Sequence, residues 1–226
     1  MSSDSLGDRM KNLYENRARA YLTRRTPVIM RLDGKSFHTF TKGFNRPFDD
    51  NLHNTMVATT IAVFNEIQGA KLAYTQSDEI SILITDFERF STEDYFDYNI
   101  QKMCSVAASV AAAHFNARNI SDKLAYFDCR VFNIPENEVR NYFIWRQKDW
   151  YRNSVQMVGQ ANFSHKELHQ KKLPDIHEML HKKGINWATD YKNWQKNGTI
   201  YTNKRIEHYS FTDGDVFSYL MERIDV

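Results

Sequence analysis

Two rhythms of apolar residues run along the chain. Val28-Ile29-Met30 is an unbroken apolar run that follows Pro27 and gives way to Asp33-Gly34, the pattern of a buried strand ending in a turn. Residues 71–77 and 80–85 repeat that pattern on either side of Ser77-Asp78-Glu79 and predict a hairpin with an acidic turn. Between these runs the period changes. Residues 50–68 carry Leu52, Met56, Ile61, Val63 and Phe64 at helical spacing and stop near Gly69. Residues 101–116 are rich in Ala and Val and lack Asp, Glu, Lys or Arg after Lys102, which suits a helix packed tightly on a sheet. Residues 127–134 predict a final strand through Phe127, Cys129, Val131 and Phe132. A charged helix is predicted over residues 6–23, ending before Pro27. The order strand, helix, strand-strand, helix, strand is that of a ferredoxin-like antiparallel sheet, an α+β fold with helices on one face.

Past Pro135 the texture changes. Residues 137–157 read as a helix rich in aromatic and long polar side chains, residues 165–183 are rich in His and Lys, and residues 185–226 hold only short apolar runs. We therefore expect a catalytic core over residues 1–135. Residues 136–226 are expected as a helical extension packed on that core and contacting any nucleic acid, without a core of their own.

Composition narrows the options. With 226 residues, 42% of them hydrophobic, the chain can bury a real core. A net charge of +2 shows no overall basic field, so contacts to nucleic acid would come from local patches. Two cysteines, Cys104 and Cys129, form no disulfide framework or zinc set and read as reduced core residues. The first residues are polar and no run of about 18 apolar residues occurs, so the expectation is no signal peptide, no membrane span and a cytoplasmic setting.

The chemistry concentrates in two turns. Two strands side by side would set Asp33 and Asp78 at one edge of the sheet, and paired carboxylates there suit Mg²⁺. An Asp after a strand is often only a turn residue or a helix N-cap. Here Asp33 leads into Gly34-Lys35-Ser36, where an acid, a residue allowing close backbone approach and a cation stand together, and exposed amides at such a turn form an anion nest. Polymerase palms and nucleotide cyclases share this plan, although a fold alone does not fix the reaction.

Arg31-Leu32-Asp33-Gly34-Lys35-Ser36-Phe37-His38, then Gln76-Ser77-Asp78-Glu79, then Trp145-Arg146-Gln147-Lys148-Asp149 resemble in order and spacing the motifs of the tRNA-His guanylyltransferase superfamily. The resemblance runs from about Leu6 to Asn153. It implies a nucleotidyltransferase that adds nucleotides to the 5′ end of tRNA in the 3′-to-5′ direction. It implies two Mg²⁺ ions held by Asp33, Asp78 and the Gly34 carbonyl, and ATP or GTP as activating and incoming nucleotide. Backbone amides from Gly34 through Lys35, Ser36 and Phe37 to His38, together with Ser77, would cradle phosphates. Glu79 would be a further ligand or supporting acid, Lys35 and Lys102 would supply phosphate charge, and a homo-oligomer, dimer or tetramer, is implied. Where histidine-specific members carry His-Ile-Asn-Asn-Leu-Tyr-Asn, this chain reads Tyr151-Arg152-Asn153-Ser154-Val155-Gln156-Met157. That departure resembles the guanylyltransferase-like branch, which repairs 5′-truncated tRNA, rather than the branch adding the extra G to tRNA-His.

Two other classes are testable. A nucleotide cyclase would use the same two acids. A zinc peptidase would rest on His177-Glu178-Met179-Leu180-His181, an H-E-x-x-H match whose third-ligand position holds Trp187; Glu207 is a candidate acid for a different zinc arrangement. The plainer reading is an amphipathic helix with Met179 and Leu180 inward. Lys166, Lys171, Lys172, Lys182 and Lys183 lie on the same stretch and, with Arg24, Arg25, Arg146 and Arg152, suit RNA phosphates or a solvated face. Trp145, Trp150 and Tyr151 are candidates for base stacking, with Trp145 equally suited to the core.

Overall fold

The computed structural model of the chain describes residues 5–87, 91–202, 205–213 and 217–220. Its elements are α1 (Leu6–Leu13), β1 (Val28–Gly34), α2 (Phe37–Phe40), α3 (Asp50–Glu66), β2 (Ala70–Gln76), β3 (Glu79–Ile84), α4 (Ile100–Asn116), β4 (Phe127–Asn133), α5 (Val139–Asn162), α6 (His165–Leu168), α7 (Leu173–Lys182), α8 (Trp187–Asp190), α9 (Asn193–Asn197), β5 (Thr199–Thr202), β6 (Arg205–Glu207) and α10 (Phe217–Leu220). The strands form one antiparallel sheet in the order β4-β1-β3-β2-β5-β6. Its first four strands have the ferredoxin-like arrangement that the alternation of elements predicts.

Period-two alternation divides the apolar runs between the faces. Val28, Met30 and Leu32 of β1, with Ile80, Ile82 and Ile84 of β3, pack against Met56 and Val63 of α3 and Met103, Ala107, Ala111 and Phe115 of α4. The small side chains of Ala107 and Ala111 let α4 lie close to the sheet. Ile29, Leu72, Tyr74 and Leu83 face the other way, under Val139, Tyr142 and Phe143 of α5. The far half of α5 continues past the sheet, where Val155 and Val158 meet Ile176 and Leu180 of α7. Helix starts follow local chemistry: the Asp49 carboxylate accepts from the Leu52 amide at the head of α3, and Asn99 caps α4 through the Lys102 amide.

Two expectations shift. The N-terminal helix stops at Leu13. Residues 20–22 are drawn onto the head of α4 instead, with Leu22 N–H donating to the Tyr98 carbonyl at 3.1 Å and Ile100 N–H donating to the Ala20 carbonyl at 3.0 Å. The extension is not wholly helical either. β3 pairs with only one edge of β2, and the Thr-Ile-Tyr-Thr run of β5 occupies the other, with Tyr74 opposite Ile200. An open edge is a ready template for a β-branched segment. Positions beyond Leu220 in the extension lie outside the described residues. Cys104 and Cys129 are free and half-buried. Among the described residues no helix is long and apolar enough to cross a membrane.

Candidate active site

Strand register brings the acidic residues together. Asp33 stands opposite Glu79 on β3 and opposite Asp128 on β4, so these three share the sheet face on which α5 lies. Asp78 sits one residue before β3, in a two-residue turn with Ser77 in the left-handed conformation (φ 50°). The Gly34 amide donates to the Asp78 carbonyl at 3.1 Å and ties the β1 turn to the hairpin turn. The Lys35 amide donates to the Tyr126 carbonyl at 2.8 Å and fixes the same turn from the β4 side.

Gly34 has a packing reason as well. A Cβ there would lie 2.3 Å from the Phe37 ring, which is buried among Phe40, Phe115 and Phe127. Phe37 is thus a core anchor for the turn, and only its backbone can serve a ligand. Ser36, at φ 56°, begins α2 without a side-chain cap.

Burial dominates the electrostatics at the turns. Burial pushes the Asp78 carboxyl up to about 6, repulsion from Asp33 adds to this, and the Ser77 hydroxyl, donating at 2.9 Å, opposes it. Burial also raises Asp33, repulsion from Asp128 adds, and Arg31, Arg130 and Arg146 oppose. Neither carboxylate makes an ion pair among the described residues. Beside them opens a cavity of about 530 Å³ whose wall includes Ser36, His38, Asn45, Asp49, Ser77 and Asp78. A narrow slot adjoins it, in which Phe48, Leu52, Trp150, Met157 and Trp194 face polar groups that include Asp49, His53, Thr75 and Gln76. In that slot the His53 ring stacks on Trp194 at 3.7 Å, and burial lowers its pKa to about 4, so it is neutral at physiological pH.

Other candidates take different places. Glu79 is buried and engaged: Arg146 donates through Nε at 2.7 Å to one carboxylate oxygen and through Nη2 at 2.5 Å to the other. Lys35 is exposed and lies outside the cavity wall. Lys102 is in the first turn of α4, whose head packs against residues 20–22, lies beside Phe96 and is not among the residues lining the cavity. The structure does not bring Lys102 to the cleft.

The basic stretch also divides. Lys182 pairs with Glu178, Lys183 donates to the Asn162 carbonyl and lies over the Phe163 ring, and Arg152 pairs with Asp149. Arg146 is committed to Glu79, and Arg24 pairs with Asp94. Trp150 is buried beside Phe48, Trp145 is exposed with the Arg146 guanidinium 4.5 Å from its ring, and Tyr151 is held between His177 and Trp187. The H-E-x-x-H helix buries Ile176 and Leu180, with Met179 half-buried, and His177 hydrogen-bonds the Tyr151 hydroxyl at 3.0 Å. Among the described residues no group of three or more His, Cys, Asp or Glu side chains is placed to hold a metal, which leaves the zinc arrangement without support.

Sequence reading passed over Asn45, Arg46 and Asp49, which line the cleft from the loop between α2 and α3. Their available signal was the polar Asn45-Arg46-Pro47 turn and the Asp49 cap following the Gly34–His38 segment.

A carboxylate pair beside an amide-rich turn, bordered by an open cavity on a ferredoxin-like sheet, has relatives of known identity. Residues 7–135, more than half of the chain, match the model of the family described as Thg1, tRNAHis guanylyltransferase. The chain belongs to the tRNA(His) guanylyltransferase family. It is a nucleotidyltransferase of that family. The tRNA(His) guanylyltransferase of Schizosaccharomyces pombe is 30% identical over 80% of this chain and 75% of its own length. A protein of Acanthamoeba polyphaga mimivirus is 29% identical over 91% of this chain and 79% of its own. Among solved structures, a bacterial tRNA(His) guanylyltransferase-like protein in complex with ATP is 45% identical, with a TM-score of 0.87 over 91% of this chain and 93% of that one. A bacterial guanylyltransferase-like protein in complex with GTP is 41% identical, with a TM-score of 0.76 over 90% of this chain and 91% of that one. The Saccharomyces cerevisiae enzyme, at 21% identity and a TM-score of 0.79 over 96% of this chain and 100% of that one, shares the fold.

Proposed function

We propose that this enzyme repairs 5′-truncated tRNA by adding nucleotides in the 3′-to-5′ direction, each chosen by pairing with the opposite strand of the acceptor stem. One observation carries the reaction: Asp33 and Asp78 are both raised by burial and crowding, neither is ion-paired among the described residues, and Asp78 with Gly34, the neighbour of Asp33, lines a cavity of about 530 Å³. Hard carboxylate oxygens and the nearby Gly34 carbonyl suit Mg²⁺, which commonly takes one or two carboxylates and completes its shell with water and substrate phosphates. Bound there, Mg²⁺ would neutralise the triphosphate and lower the pKa of an attacking hydroxyl. The chain's own residues do the positioning. The Ser77 hydroxyl and the amides of Ser36, Phe37 and His38 orient phosphates, the Gly34 and Lys35 amides being spent on the Asp78 and Tyr126 carbonyls, and the Glu79–Arg146 pair holds the start of β3 beneath Asp33. ATP- and GTP-bound relatives support a nucleotide in this cleft.

The repair reading rests on α5. Its 151–157 segment departs from the histidine-specific pattern, and Met157 from that segment lines the cleft. With that reader changed, Watson–Crick pairing is the remaining source of selectivity. The direct comparison offers all four triphosphates and Mg²⁺ with several truncated tRNAs and one full-length tRNA-His. Extension of the truncated set supports repair. A single G added only to full-length tRNA-His would assign the conventional activity instead, and a cyclic nucleotide formed without RNA would assign a cyclase.

Asp78 also gives the metal a pH signature. Its folded pKa of about 6 exceeds the ordinary 3.8, so between those values the folded state keeps a proton that the unfolded chain releases. Stability from this group therefore falls as pH rises through that window, and Mg²⁺, which binds the ionised form, offsets the loss above it. Thermal melts should show Mg²⁺ raising Tm at pH 7.5 and doing little at pH 5; an equal increment at both would exclude Asp78 as a ligand.

A further inference from the structure

Past Arg46 and Gln160, which line both spaces, the cleft continues into a second cavity of about 480 Å³. Gln156 and Gln160 of α5 form one wall, His165 and His169 of α6 and its cap another, and Lys171 closes the far side. No Asp or Glu lines it, and these side chains make no hydrogen bond or ion pair among the described residues. Phe163, Leu168 and Ile176 floor the cavity, and a concave wall whose polar groups are free donors and cations with no acid is a surface for an anion. Lys166 and Lys172, both exposed and next in sequence to its lining residues, continue the positive charge over the outer surface.

We propose that this second cavity seats the phosphorylated 5′ end of the RNA strand. The inference rests on the nucleotidyl transfer proposed above. That reaction brings two phosphate-bearing molecules to the same pair of carboxylates, a triphosphate and a strand end. The cleft beside Ser77 and the Gly34–His38 turn takes the first. The adjoining cavity takes the second, because His165, His169 and Lys171 line it with no acid among them and the exposed Lys166 and Lys172 extend the positive charge beyond it, as a polyanion requires. The 5′-phosphate accepts from Lys171 and the α6 histidines, while Arg46 stands between the two anions and faces both.

The test uses the full chain with a short acceptor-stem RNA carrying either a 5′-monophosphate or a 5′-hydroxyl, and follows binding by fluorescence anisotropy. Wild type should prefer the phosphorylated RNA by about tenfold, the worth of one charge-assisted hydrogen bond. The triple variant His165→Ala, His169→Ala, Lys171→Ala should bind both RNAs alike while its affinity for ATP is unchanged. All three positions are exposed, and the single charge reversal Lys171→Glu provides the same comparison if the triple variant melts early. A triple variant that keeps the 5′-phosphate preference overturns the proposal. So does a parallel loss of ATP affinity, which would give the cavity to the triphosphate tail. If wild type extends neither RNA yet shows a preference that the triple variant loses, the 5′-phosphate seat stands and the proposed reaction falls.

Discussion

Asp33→Ala and Asp78→Ala should each lower nucleotide addition by about a thousandfold or more, because metal stabilisation of developing charge contributes several kcal/mol and each 1.4 kcal/mol is tenfold in rate. The fold should survive both changes. Asp33 is only half-buried at the end of β1, and the turn that holds Asp78 is secured by main-chain bonds from Gly34. Asp78→Asn separates chemistry from stability more cleanly. At neutral pH it removes a charge that burial and Asp33 both disfavour, so Tm should hold or rise while activity is lost. Single-turnover addition to a truncated tRNA and thermal melts on the same preparations check both halves. Near-normal turnover in either alanine variant would rule out the two-aspartate site.

The largest stability effect should come from Arg146. Its guanidinium and the Glu79 carboxylate are both buried and joined by two hydrogen bonds, with Asp149 as a third partner at 3.2 Å. Removing one member leaves an uncompensated buried charge, at a cost of about 3–5 kcal/mol. Arg146→Met should therefore shift denaturant unfolding by an amount of that order, and adding Glu79→Gln to it should recover a large part. A double variant as unstable as the single one would show that Arg146 acts through packing on Trp145 rather than through Glu79.

The same pair shows where the order of residues stops being informative. Glu79 follows Asp78 in an acidic turn, and adjacency alone ranks it as a further metal ligand. Its role is set by α5, which brings Arg146 across the sheet from a position 67 residues away. Lys102 is the converse case. Its sequence offers a cation near the first turn of a helix, but the head of α4 packs against residues 20–22 and Lys102 does not line the cleft. Lys182, Lys183 and Arg152 read as a basic surface until local partners claim them, whereas Arg46, which lines both cavities, stood in a loop without periodic signal.

By itself the sequence determined the four-stranded core and the identity of the acidic turns. Period-two and helical spacing are local properties, and burying both faces of β1 and β3 leaves Asp33 and Asp78 at the strand ends under almost any packing of those segments. Only the tertiary structure decided that Asp78 is more burdened by burial than Asp33, that Glu79 is spent on Arg146, and that β5 closes the edge of β2. Each of these depends on contacts between segments far apart in the chain. Desolvation, ion pairing and edge pairing follow distance in space, which the order of residues does not encode.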